Sequence, residues 1–184
     1  PWIPAESENV SMVMDIVSNN SIIAPLAASQ DSINNPPLYP FIGATFVKIF
    51  SSILAPHDAI RLSNFIWISL TLLSIGLMTR ELWGIGFGRQ AGLIFIASIG
   101  LIFNVHSIRP EVATLLGFAL ALYGFALYYR RPFRASLVLG FGISIIFLSN
   151  GMLSLLSIFL TALSLLFIKQ WRNKRYYLFC FISS

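Results

Sequence analysis

Two groups of ionisable side chains stand out in an otherwise apolar chain: Glu6 and Glu8 near its start, and His106, Arg109 and Glu111 much further along. A carboxylate can accept a proton or ligate a metal ion, and a guanidinium presents a fork of donors suited to phosphate or carboxylate. The same residue types also have plain structural uses. Arg109 and Glu111 could form a local ion pair capping a helix that starts at Pro110, where a missing backbone donor costs little. Glu6 could simply complement the first turn of a helix, and exposed pairs of this kind are common and individually weak. His106 reads more readily as interfacial packing than as a ligand. Chemistry requires the two groups to meet, so the elements that carry them decide the matter.

Those elements are set by hydrophobicity and charge. With 57% hydrophobic residues, 10% charged residues and a mean hydropathy of +0.79, the chain is too apolar for an ordinary soluble domain. Nine of its twelve basic residues fall in three short connectors: Arg80 and Arg89; Arg130, Arg131 and Arg134; and Lys169, Arg172, Lys174 and Arg175. Six of the seven acidic residues lie in the segments on the other side of the apolar runs, Glu81 being the exception. Lys and Arg in short loops are retained on the cytoplasmic side, so these connectors read as cytoplasmic. Residues 1 to about 60, the turn at Arg109 to Glu111 and the turn at Asn150 then read as external. The net charge of +5 does not point to nucleic acid, because the basic residues flank apolar runs instead of forming a patch interleaved with exposed aromatics. Cys180 is alone, so no disulfide framework is expected.

A helix needs about 20 mostly apolar residues to cross the hydrocarbon layer. Five spans are expected, over 60–79, 88–106, 112–129, 135–149 and 152–168, with a sixth opening near Tyr176. Trp83, Tyr128, Tyr129, Trp171, Tyr176 and Tyr177 sit at the cytoplasmic ends of this scheme, as an aromatic belt would. The chain starts at Pro1 without a methionine and stops soon after Tyr176, so it reads as an excerpt of a longer protein. An external start would then require an earlier span or a removed export signal.

The expected fold class is all-α: a polytopic membrane helix bundle over 60–184, preceded by an external loop over 1–59 that carries two interfacial amphipathic helices. The first is expected at about 6–17, with Val10, Val13, Met14 and Val17 on one face and Ser11, Asp15 and Ser18 on another. The second is expected at about 37–54. Leu38, Phe41, Ile42, Thr45, Phe46, Ile49, Phe50, Ile53 and Leu54 follow one helical face, with Gly43, Lys48, Ser51 and Ser52 off it. Such a helix lies in the interface, and making it a span would invert every later connector. Between the two, 18–37 is rich in Ser, Asn and Pro and reads as a loop. Asn9-Val10-Ser11 and Asn19-Asn20-Ser21 fit the N-glycosylation pattern, which is short enough to arise by chance.

The order of these features carries a resemblance. An acidic site opening an external helix is followed by a loop ending in Pro36-Pro37-Leu38-Tyr39 and a second interfacial helix. Ala59-Ile60-Arg61-Leu62 then enters a span, and an acidic residue, Glu111, follows the next hairpin. This resembles the membrane part of C-type glycosyltransferases of the family 39 kind, which includes protein O-mannosyltransferases and the lipid A aminoarabinose transferase. The resemblance covers most of residues 1–130 and is thin beyond. It implies an Asp-Glu pair at the start of the first external helix, whose Asp is the catalytic carboxylate. Here the pair reads Ala5-Glu6, so Glu6 takes over that role, or Glu8 in a shifted register, or the activity is different or lost. Asn35 stands where aminoarabinose transferases carry a basic residue before Pro-Pro.

What the resemblance implies is transfer of a sugar from a polyprenyl-phosphate donor to a protein or lipid-linked acceptor at the external face, by one inverting displacement with lipid phosphate leaving. A carboxylate within hydrogen-bond reach of the acceptor hydroxyl would remove its proton. Glu6 is the first choice for that base, Glu111 could assist or bind a divalent metal, and Arg109 could hold the donor phosphate. No other cofactor is implied. The bacterial inner membrane ranks ahead of the endoplasmic reticulum. The competing functions are a transporter, although the spans carry almost no charge, and a noncatalytic polytopic scaffold, for which Ala5 speaks.

Overall fold

The computed structural model describes residues 4–19, 36–98, 108–165 and 167. Among the described residues all regular structure is helical: α1 (Pro4–Asn19), α2 (Leu38–Phe50), α3 (Pro56–Trp83), α4 (Phe87–Ile96), α5 (Glu111–Leu127), α6 (Pro132–Asn150) and α7 (Met152–Leu165). Helix α3 begins after an extended Ala55, with Pro56 at its first position and Asp58 in its first turn. It ends at Gly84, whose φ of 102° suits a residue without Cβ and whose N–H bonds the Arg80 carbonyl at 3.0 Å. Its 28 residues make a rod of about 42 Å, longer than the roughly 30 Å hydrocarbon layer. Helix α6 likewise starts at Pro132 and stops at Gly151 with φ 72°.

These two helices, α3 and α6, are long and apolar enough to cross a membrane. Only 33% of the apolar window of each is buried inside the protein, whereas the core helix of a soluble domain would be mostly covered. Phe65, Leu73, Leu137 and Phe141 all point outward from them. The expected span over 88–106 is represented by α4, which ends at Ile96; residues 99–107 lie outside the described residues. So do the whole of the third basic connector, Cys180 and the expected sixth span.

Helix packing depends on small residues. On α5, Gly117 and Gly124 face α6, and on α6 Gly142 faces back: a Cβ on Gly142 would lie 2.8 Å from the Gly117 carbonyl oxygen and 2.9 Å from the Ala121 nitrogen. The two backbones therefore touch, as in the small-xxx-small interfaces that draw helices together in lipid. On α3 the buried stripe includes Ser63, Asn64, Thr71, Ser74 and Thr79. Ser63, Thr71, Ser74 and Thr79 satisfy their hydroxyls on carbonyls three or four residues back, so polar atoms can be buried at little cost.

Two apolar cores divide the molecule. One joins Val13 and Ile16 of α1, Tyr39, Ala44 and Val47 of α2, Ala59, Ile60 and Trp67 of α3, and Ile108, Val112 and Leu116 at the start of α5. The other joins α5, α6 and α7 through Phe125, Leu139, Ile146 and Ile158. At the far end of α3, Glu81 accepts from Arg130 at 3.1 Å, tying α3 to the α5–α6 connector. The described basic residues Arg80, Arg89, Arg130, Arg131 and Arg134 all belong to this end, opposite α1 and α2.

Both amphipathic helices form, but each turns differently from its apolar pattern. On α1 the buried positions are Asn9, Met12, Val13 and Ile16, while Met14 is exposed. The inward face is rotated by about one residue because Asn9, a polar side chain, finds a partner inside. On α2 the inward face is Tyr39, Pro40, Gly43, Ala44 and Val47. Gly43 lets α1 and α3 close in: a Cβ there would meet Val13 at 3.2 Å and Ile60 at 3.6 Å. The large side chains Phe41, Ile49, Ile53 and Leu54 point away from the protein. The helix stops at Phe50, and residues 51–54 form a turn instead of extending it. Thirteen residues reach about 20 Å, too short to cross the hydrocarbon layer. At the basic end Trp83 and Tyr129 are exposed, but Tyr128 is buried in the second core and is no part of a belt.

Candidate functional site

The site begins with a backbone segment, Ile108 to Pro110, that leads into α5. Unlike a helix interior, such a segment must find external partners for its polar groups. Helix α1 supplies two. Glu6, half-buried in its first turn, accepts from the Ile108 N–H at 3.4 Å, and Asn9 Nδ2 donates to the Ile108 carbonyl at 3.0 Å. Residues three apart share a helix face, so Glu6 and Asn9 grip the segment together. Glu8, two positions from Glu6, projects roughly 200° away around the helix. Glu6, which the sequence ranked ahead of Glu8, is thus the carboxylate bonded to the Ile108 N–H.

Helices α2 and α3 supply the third partner. Tyr39 is fully buried, and its hydroxyl donates to Asn64 Oδ1 at 3.0 Å while accepting from the Arg109 backbone N–H. Burial raises the phenol well above the ordinary tyrosine range; the bonds to Asn64 and Arg109 oppose the shift, and the negative charges of Glu111 and Glu6 add to it. Both carboxylates are therefore close enough to Tyr39 to be felt there. Tyr39, Asn64 and Asn9 are site residues that the sequence reading did not single out. Tyr39 had a signal, as the close of Pro-Pro-Leu-Tyr; Asn64, a lone amide within an apolar span, had another.

Arg109 is half-buried, and its Nε is shielded without a hydrogen-bond partner. It makes no ion pair with Glu111, which is exposed at the first position of α5. The helix starts one residue after Pro110, whose carbonyl accepts from the Ala113 and Thr114 N–H groups at 3.1 Å. The local ion pair allowed by the spacing is thus absent, with the Arg109 Nε shielded and the Glu111 carboxylate exposed. Ala5 lies in the first turn of α1, ahead of Glu6. His106 lies outside the described residues. Of the resemblance motif Ala59-Ile60-Arg61-Leu62, Ala59 and Ile60 are fully buried in the first core and Arg61 is exposed.

Among the described residues no group of three or more His, Cys, Asp or Glu side chains converges as a metal site. Asn9 is 9% exposed with its amide engaged, which removes it as an accessible glycosylation acceptor; Asn20 and Ser21 of the second triplet lie outside the described residues. What the arrangement offers is one oriented carboxylate, a second carboxylate and a guanidinium around a buried phenol, at the end of the molecule where α2 turns its large apolar side chains outward. Comparison with protein-family models, with curated proteins and with solved structures finds no match to this chain.

Proposed function

We propose that this chain is part of a multi-pass membrane glycosyltransferase of the C type that moves a sugar from a polyprenyl-phosphate donor to an acceptor at the external face. The observation that carries the reading is the joining of Glu6 to the Ile108–Glu111 segment, two regions far apart in sequence. A membrane-embedded sugar transfer needs such a cluster at the interface, where the donor's lipid stays in the bilayer and its phosphate and sugar emerge. The outward apolar residues of α2 would border that interface. The first-choice membrane is the bacterial inner membrane.

In this reading the acceptor hydroxyl lies against Glu6. The Ile108 N–H holds one carboxylate oxygen, leaving the other to take the hydroxyl proton. The acceptor oxygen bonds the anomeric carbon as the bond from that carbon to the phosphate oxygen breaks, and the polyprenyl phosphate leaves with the electron pair. Arg109 meets the phosphate charge, with Glu111 at the rim assisting the acceptor. Glu6 thereby stands in for the acid displaced by Ala5. Residues 62–79, 112–127 and 135–150 contain no Asp, Glu, Lys or Arg, which favours transfer at the interface over transport through the bundle.

The test is transfer by the full-length protein from polyprenyl-phosphate sugars. Glu6→Gln should lower turnover by about 10²- to 10⁴-fold, the usual worth of a general base, and Glu8→Gln should leave it nearly unchanged. Normal turnover by Glu6→Gln would reject the assignment.

A further inference from the structure

We infer that the groove between α3 and α4, at the end opposite the carboxylates, holds an anionic glycerophospholipid. It is a cavity of about 710 Å³, within the range of small-molecule sites, with Arg80 and Arg89 at its head and Leu73, Leu77 and Leu93 along its length. Its floor is narrow because the helices touch there: a Cβ on Gly88 would lie 2.6 Å from the Gly76 carbonyl oxygen. Leu72, Gly76 and Arg80 are spaced by four and so lie on one face of α3. From Arg80 to Leu72 the helix descends about 12 Å. That compares with about 15 Å for one leaflet of a 30 Å hydrocarbon layer.

The occupant follows from charge complementarity. Arg80 and Arg89 come from different helices, are exposed, and have no acidic partner among the described residues, because the nearby Glu81 is engaged by Arg130. Two guanidinium groups above a leucine-lined trough fit a phosphate diester carrying acyl chains. Free phosphate would leave the trough empty. A neutral headgroup would leave two cations uncompensated. Leu73 and Leu93 also face outward, continuous with the apolar exterior of the helices. Basic pockets between helices at the cytoplasmic boundary are where such headgroups bind. The inference rests on the bilayer setting proposed above and is independent of sugar transfer.

The experiment uses the full-length protein in bilayer discs of phosphatidylcholine with or without phosphatidylglycerol, after alkaline extraction has established membrane insertion. Phosphatidylglycerol retained on the protein is then measured by native mass spectrometry across a lipid titration. The Arg80→Ala/Arg89→Ala protein should bind it about thirty-fold more weakly, from roughly a factor of five per basic residue. Leu73→Trp, which fills the trough and leaves the charge intact, should also weaken retention. Arg134→Ala, at the same end but outside the groove, should not. Equal retention by the wild-type and double-variant proteins, or equal losses from Arg134→Ala and the double variant, would overturn the site. Extraction of the protein by alkali would instead overturn the bilayer setting.

Discussion

Replacing Tyr39 by Phe removes one oxygen and almost nothing else, so it isolates the polar clamp from the apolar packing around it. The ring keeps its place among Val13, Ala44 and Ile60. Two buried groups lose their partner: Asn64 Oδ1, which accepts from the hydroxyl at 3.0 Å, and the Arg109 N–H, which donates to it. Each orphaned buried group costs about 1–3 kcal/mol, so Tyr39→Phe should destabilise the protein by roughly 2–6 kcal/mol. Asn64→Leu in the Tyr39→Phe background removes one orphan and should recover roughly 1–3 kcal/mol, giving a non-additive pair. Denaturant titration in detergent micelles, followed by circular dichroism, measures both quantities. The pH dependence adds a sign. Because the folded phenol titrates above its usual value of about 10, the unfolded chain ionises first as pH rises; stability is complete below that pH and falls above it. The part of that alkaline fall due to Tyr39 should vanish in Tyr39→Phe. A change under about 0.5 kcal/mol, or additive single effects, would refute the clamp.

Other perturbations separate the remaining contacts. Asn9→Ala should cost about 1–3 kcal/mol by freeing the buried Ile108 carbonyl, measurable by the same titration and by faster hydrogen exchange near Ile108. Gly142→Ala should force α5 and α6 apart and cost about 1–3 kcal/mol in the midpoint of denaturation. Gly92→Ala, on α4 with open space around it, should be neutral or stabilising by up to about 1 kcal/mol. Glu81→Gln should change stability by less than about 1 kcal/mol, because Arg130 is 69% exposed and its pair is screened by solvent.

The helices were legible in the sequence because length and apolar content report them directly: α1, α2, α3, α5, α6 and α7 all form where their runs predict. Which way a helix turns was harder to read. On α2 the periodicity grouped the large residues as one face but could not show that this face is split, with Leu38, Ile42 and Phe50 packed against the core and Phe41 and Ile49 turned outward, while Tyr39, Gly43 and Val47 pack inward. A helix at an oily boundary can offer its bulk to either side, and small residues choose the protein side because they permit close approach. On α1 the rotation turns on Asn9, whose burial depends on a carbonyl 99 residues away. The same distance hid the site. Glu6, Arg109 and Glu111 were visible by type, but the hydrogen bonds that bring Glu6 to Ile108 and suspend Arg109 from Tyr39 exist only in the folded chain. The Arg109–Glu111 pair, plausible from spacing alone, does not form: the Arg109 Nε is shielded without a partner and Glu111 is exposed.

Sidedness tests the whole account most directly. In full-length protein with its native cysteines replaced, Ser7→Cys beside Glu6, Glu111→Cys and Arg131→Cys would each be labelled in sealed vesicles with a membrane-impermeant thiol reagent from one face at a time. Ser7→Cys and Glu111→Cys should react from the same face and Arg131→Cys from the other; reaction of Ser7→Cys and Glu111→Cys from opposite faces would contradict the account.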